Sequence, residues 1–157
     1  MKMLKIASVI LMTALTPPAF ASALTINNSN LVGDWQCLHQ VDVKQTQMQI
    51  QVEYTTHILA NGNAYGTGDL YFTIPNMPKI NYKASDNSTW NLAGDQLTVK
   101  SNKINFTNVS HPELDKYVNI NTILPETVSE TVTITELTAS SIKVVSEKSK
   151  EVFTCTR

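Results

Sequence analysis

The sequence predicts an all-β fold: a single antiparallel meander of about eight strands closed into a small barrel, with one short helix inside a long connection. Three observations predict it. One long segment alternates strictly between apolar and polar residues. Turn residues punctuate the chain at hairpin-like intervals. The two cysteines, Cys37 and Cys155, fall in the first and last strand candidates. A β-sandwich accommodates the same strand count and stands as the alternative.

The chain opens on a segment that is not part of that fold. Lys2 and Lys5 form a basic start, residues 6–15 an apolar run, and Ala19-Phe20-Ala21 and Ala21-Ser22-Ala23 two overlapping small-residue cleavage sites. This is the pattern of a secretory signal peptide over residues 1–23, cut after Ala21 or Ala23. The apolar run falls well short of the roughly 20 residues that span a bilayer. Cleavage leaves about 135 of the 157 residues, enough for one domain over residues 24–157. It also reduces the 12 basic residues to 10 against 13 acidic ones, a mature charge near −3. No basic patch appears, which argues against nucleic acid as a partner. The expected location is periplasmic or secreted.

In an exported chain an even pair of cysteines reads as a disulfide, and two unpaired buried thiols are the alternative. A Cys37–Cys155 bridge would close a loop of 118 residues.

Residues 47–60 carry the alternation. Met48, Ile50, Val52, Tyr54, Thr56, Ile58 and Ala60 share one register, six of the seven apolar; the other register is polar in six of seven positions. A period of two is a strand with one buried face, because a helix would scatter these residues around its circumference. Asn61-Gly62 then marks a tight hairpin. Residues 64–74 return, with Gly66 and Gly68 read as a bulge or sharp bend. Residues 79–84 and 89–92 are short strands around the polar Ser85-Asp86-Asn87-Ser88, and 96–100 follows the turn at Gly94.

Residues 101–127 lack the alternation and read as a long connection, of the kind that often covers something. Within it Ser110-His111-Pro112-Glu113 has the form of a capping box, opening about two helical turns with Leu114, Tyr117 and Val118 on one face. Strands resume over 128–137 and 141–146, and 152–157 is the last.

If Cys37 and Cys155 bridge neighbouring antiparallel strands, Trp35 opposes Arg157 and His39 opposes Phe153. Pairing of first and last strands closes a meander into a barrel and removes its edges. A guanidinium over the indole would add roughly 0.5–2 kcal/mol.

Gly33-x-Trp35 at the start of the first strand resembles the Gly-x-Trp signature of lipocalins and the wider calycin group. That resemblance implies a lipocalin-like barrel in which a basic side chain from the last strand packs over the tryptophan, and Arg157 is the residue that matches. The second lipocalin motif, Thr-Asp-Tyr, is absent. The chain is also similar to small exported bacterial proteins with Leu-x-Gly-x-Trp near the front (Leu31, Gly33, Trp35), a central Trp90, Leu92, Gly94, Asp95, Leu97 pattern and a Cys155-x-Arg157 end.

Motifs for catalysis are missing. There is no Gly-x-Ser-x-Gly elbow, phosphate-binding loop or His-Glu-x-x-His. His39, His57 and His111 share no metal-ligand spacing. The expectation is a protein that is not an enzyme and uses no cofactor or metal. Two functions remain. One is a carrier whose barrel holds a small apolar ligand, lined by Met48, Ile50, Val52, Tyr54, Ile58, Val132, Ile134 and Phe153. The other is an envelope protein-binding module, an inhibitor or immunity-type protein, acting through the arm 24–30 or the loop 105–121. Some exported protease inhibitors are similar in opening a small barrel on a Gly-x-Trp-like start.

Overall fold

Alternation governs the chain from its first strand to its last. The structure, a computed structural model, describes residues 21–44, 47–117, 120, 124 and 126–157. The expected leader lies outside the described residues except for its last three. Eight antiparallel strands follow one another: β1 (Gly33–Val43), β2 (Met48–Ile58), β3 (Asn63–Thr73), β4 (Ile80–Ala93), β5 (Gln96–Asn108), β6 (Ser129–Leu137), β7 (Ser141–Ser146) and β8 (Val152–Thr156). Each pairs with the next, and β8 pairs with β1 to close a barrel. The barrel, not the sandwich, is the architecture.

Closure follows the register expected from the cysteines. Cys37 opposes Cys155 and Gln36 opposes Thr156. The disulfide forms across a Cα–Cα distance of 4.3 Å. His39 and Phe153 meet edge to face, with ring centres 4.5 Å apart.

Three expectations are corrected. Gly66 and Gly68 make no bulge, since β2 and β3 stay in continuous register across them. They are glycines because the Tyr54 side chain lies against both, and a Cβ on either would overlap it. The bulges sit instead at Asn102 in β5 and Thr135 in β6, where the pairing slips by one residue.

Secondly, Ser85-Asp86-Asn87-Ser88 does not interrupt a strand. It lies within the 14-residue β4. Asp86 and Ser88 occupy inward positions and are buried. A bulge at Asn102 breaks the alternation and so conceals the second half of β5, where Ile104 and Phe106 return inward; the strand runs on to Asn108, and the connection is confined to residues 109–128.

Thirdly, the capping box does not form. Among its described residues the connection opens on a 3-10 turn, Pro112–Lys116, whose cap position is His111, without a side-chain cap. The Ser110 hydroxyl instead accepts from the Asn81 N–H of β4, at 2.8 Å. Asn108 does the organising: its carbonyl accepts from the N–H groups of Ser110 and His111, and its amide donates to Asp115. Leu114 packs inward, Tyr117 is 83% exposed, and Val118 lies outside the described residues.

One end of the barrel is sealed by the residues before β1. Leu24 N–H donates to Leu137 O at 2.7 Å, and Leu24 and Ile26 pack against the core. A single helical turn, α1 (Asn28–Leu31), capped by the Asn27 side chain, then leads into the barrel. Leu31 is fully buried, and its carbonyl accepts from the Trp35 indole N–H at 2.8 Å. Among the described residues no helix is long and apolar enough to cross a membrane.

Candidate functional site

The interior is divided. Apolar side chains fall into two clusters, one at the sealed end around Trp35, Trp90, Ile134 and Leu137, the other at the opposite end around Leu70, Phe72, Ile80 and Tyr82. A polar belt separates them, and it can be followed strand by strand. In β4, Ile80, Tyr82 and Ala84 belong to the second cluster and Trp90 to the first, with Asp86 and Ser88 between. In β2, Tyr54 and Thr56 stand between Val52 and Ile58; in β3, Gly66 and Gly68 stand between Ala64 and Leu70.

The belt is a hydrogen-bonded unit. The Asp86 carboxylate accepts from the hydroxyls of Tyr54, Ser88 and Ser101. Three donors compensate a carboxylate that would otherwise be costly to bury. On the far wall Ser146, fully buried, donates to Glu130 at 2.7 Å.

The sealed end is well packed. Trp35 and Leu137 are each 1% exposed and Ile134 2%. Both indoles satisfy their N–H groups on backbone carbonyls: Trp35 on Leu31, Trp90 on Leu59 at 2.9 Å. Gly33 has φ +136, a conformation L side chains rarely adopt, directly beneath the Arg157 guanidinium. That guanidinium covers the Trp35 ring and donates to Ala139 O and Val32 O.

The opposite end is looser. Met48, Ile50, Val52, Ile104 and Phe106 occupy inward positions yet are only half-buried. Leu114, Ile120 and Leu124 of the connection pack against this cluster from above. A polar clasp holds the connection down: Tyr82 Oη and the Asn108 amide both donate to Asp115 Oδ1, at 3.0 and 2.9 Å. Burial first, and then the Asp115 carboxylate, push the Tyr82 phenol up to about 12.

The eight expected lining residues all fall on inward positions but do not form one surface. Ile58, Val132, Ile134 and Phe153 belong to the sealed end, Met48, Ile50 and Val52 to the looser end, and Tyr54 to the belt between. Sequence reasoning missed Leu70, Phe72, Ile80, Tyr82 and Phe106 at the looser end, and Asp86, Ser88 and Ser101 in the belt. Extending the register of β2 through β3 into β4 would have found most of them.

The histidines stay apart. His57 Nδ1 lies 2.6 Å from Asp34 Oδ1 on the outer face; His111 pairs with Glu113 at 3.1 Å in the connection; His39 stands at the rim beside Phe153 and Glu151. The backbone at the turn, then His111, lower the Glu113 carboxyl. Among the described residues no cluster of His, Cys, Asp or Glu is arranged to hold a metal ion.

No protein-family model matches the chain, and no curated protein matches it. Geometry therefore defines the class: a closed eight-stranded up-and-down barrel, sealed at one end by an arm, a disulfide and a covered tryptophan.

Proposed function

We propose that this protein is an exported, lipocalin-like barrel without catalysis of its own, carrying a small apolar ligand in the half of its interior beneath the 109–128 connection. The observation that carries this reading is the contrast between the two ends. Trp35, Ile134 and Leu137 are packed out of reach of water, whereas Met48, Ile50, Val52, Ile104 and Phe106 face inward and keep part of their surface accessible. Inward apolar surface left accessible in a barrel of this strand number suits a small apolar ligand. A ligand held there would have the Asp86 belt as a polar floor and Leu114, Ile120 and Leu124 as an apolar roof. The leader pattern and the disulfide support an oxidising, extracytoplasmic location.

The test is occupancy. Protein purified from an oxidising compartment is extracted with solvent and analysed by mass spectrometry, and thermal shifts are recorded with palmitate and retinol. Val52→Trp, which fills the looser end, should abolish any shift while Ile134→Val, at the sealed end, leaves it intact. An empty extract, together with melting unaffected by both compounds, would sink the carrier reading.

A second reading, the envelope protein-binding module, draws on a different observation. The connection presents Tyr117 at 83% and Val109 at 48% exposure, and exposed aromatics commonly anchor interfaces. The arm 24–30 suits that role less, since Leu24 and Ile26 are committed to the barrel end. Photo-crosslinking in cells from position 117, with position 148 as control, separates the two readings: a discrete adduct from 117 alone favours the module.

A further inference from the structure

The outer wall carries a cleft of about 760 Å³ that the interior site does not use. Gly66 and Gly68 let the β3 wall approach the Tyr54 side chain closely. Cys37, Tyr54, Gly68 and Ala84, from the inward register, form the base of the cleft, and outward side chains line the rest. One register row crosses six neighbouring strands: Thr156, Gln36, Thr55, Thr67, Ser85 and Asn105. At about 4.8 Å per strand, this row of hydroxyls and amides follows the curved wall for about 24 Å.

The next row is Glu53, Asp69 and Lys83, in which Lys83 Nζ sits 2.7 Å from Asp69 Oδ2. Along β3 two outward tyrosines bracket the cleft residues Thr67 and Asp69. Tyr65 is stacked on His57 with ring centres 4.4 Å apart and remains 44% exposed. Tyr71 stands on the other side with the Lys79 ammonium over its ring.

From this lining we infer that the cleft binds a neutral, unbranched oligosaccharide. The lining itself excludes the other classes. Among the described residues Lys83 is the cleft's only cation and is already paired, with Glu53 and Asp69 beside it, so the lining disfavours phosphate and sulfate polymers. Among the described residues Leu38 is the one large aliphatic side chain of the lining, so a lipid chain has no continuous aliphatic floor. Sugar hydroxyls each donate and accept, as do Thr and Ser hydroxyls, and amides offer both roles from one side chain. The flat C–H face of a pyranose stacks on an exposed aromatic ring, and Tyr65, held flat by His57, presents one beside the polar row. A row crossing six strands matches several sugar units in sequence better than one.

The experiment is an amide-resonance titration of the full mature protein with cellotetraose, chitotetraose and maltotetraose at millimolar concentration. At least one sugar is expected to shift the amides of Thr55, Tyr65, Thr67 and Ser85 together and saturably. Thr67→Arg, which fills the cleft centre from an exposed position, should weaken that binding at least tenfold, and Tyr65→Ala severalfold. Ser85→Arg serves as a second block should the first variant fold poorly. Neither arginine variant should alter palmitate-induced melting shifts, so this site and the interior site can fail separately. The proposal is overturned if no sugar moves these amides, if the shifts map to Phe72, Tyr82 and Phe106 instead, or if folded Thr67→Arg and Ser85→Arg both bind like wild type.

Discussion

The Arg157 guanidinium carbon lies 4.2 Å from the centre of the Trp35 ring, joining the residue after β8 to the start of β1. The same guanidinium donates to Ala139 O at 2.8 Å and Val32 O at 3.2 Å. It thus ties three segments over the sealed end. Arg157→Ala should destabilise the barrel by about 1–2 kcal/mol, the sum expected of an exposed cation–π contact and solvent-screened hydrogen bonds. Arg157→Lys keeps the charge but not the planar fork, and should fall between. Urea denaturation of the three proteins decides this. Equal midpoints for Ala and wild type would remove Arg157 from the account of closure.

The seam it helps hold is short. β1 and β8 share two register pairs, one of them the disulfide. The bridge closes a 118-residue separation, for which chain entropy gives a stabilisation of about 4–5 kcal/mol. A Cys37→Ala, Cys155→Ala double variant should lose about 2–5 kcal/mol. Hydrogen exchange should quicken in β8 before it does in β4. Exchange that quickens uniformly would mean that the seam is not the weak point.

Tyr54 and Gly66 predict a steric coupling. A Cβ at Gly66 would overlap the Tyr54 ring, so Gly66→Ala should cost about 1–3 kcal/mol through overpacking. In a Tyr54→Ala background the added methyl no longer meets the ring but still meets the Asp86 carboxylate, and its cost should fall without vanishing. A double-mutant cycle with a coupling energy near zero would contradict the packing described. Tyr54→Phe keeps the ring but removes one of the three donors to Asp86, and should cost about 1–3 kcal/mol.

Stability at high pH should report on Tyr82. Its folded phenol is raised from 10.0 to about 12. The unfolded phenol therefore loses its proton first, and the unfolded state is favoured as pH rises. The stabilisation is whole below pH 10 and is lost between about 10 and 12. Ultraviolet difference titration of wild type against Tyr82→Phe should show one tyrosinate appearing near pH 12. Melting temperature should decline more steeply over that window in wild type. Parallel declines would place the late ionisation elsewhere.

Much of the barrel was legible because alternation is local information. Residues 47–60 declare a half-buried strand on their own, and the two cysteines supply the one long-range distance needed to close the meander. Legibility failed where inward positions are polar. Asp86, Ser88 and Ser101 read as loop because polar residues are ordinarily exposed, yet here each satisfies another inside the barrel. Ser110 read as a helix cap because it stands three residues before Glu113, yet its hydroxyl is taken by Asn81 of a neighbouring strand. Gly66 and Gly68 read as a bend because nothing local reveals the tyrosine packed against them.

By itself, then, the sequence marked most of the strands through side-chain period, and it made the β1–β8 closure and the Trp35–Arg157 cover consequences of a Cys37–Cys155 tie; that β4 is one strand and that β5 runs on to Asn108 came from the structure. Only the tertiary structure decided that the interior is two apolar clusters divided by a polar belt, and that a hydroxyl-lined cleft opens on the outer wall. Both depend on which side chains meet across strands far apart in sequence. Burial of a polar group is tolerated only when its partners converge in space, and local pattern does not record that convergence.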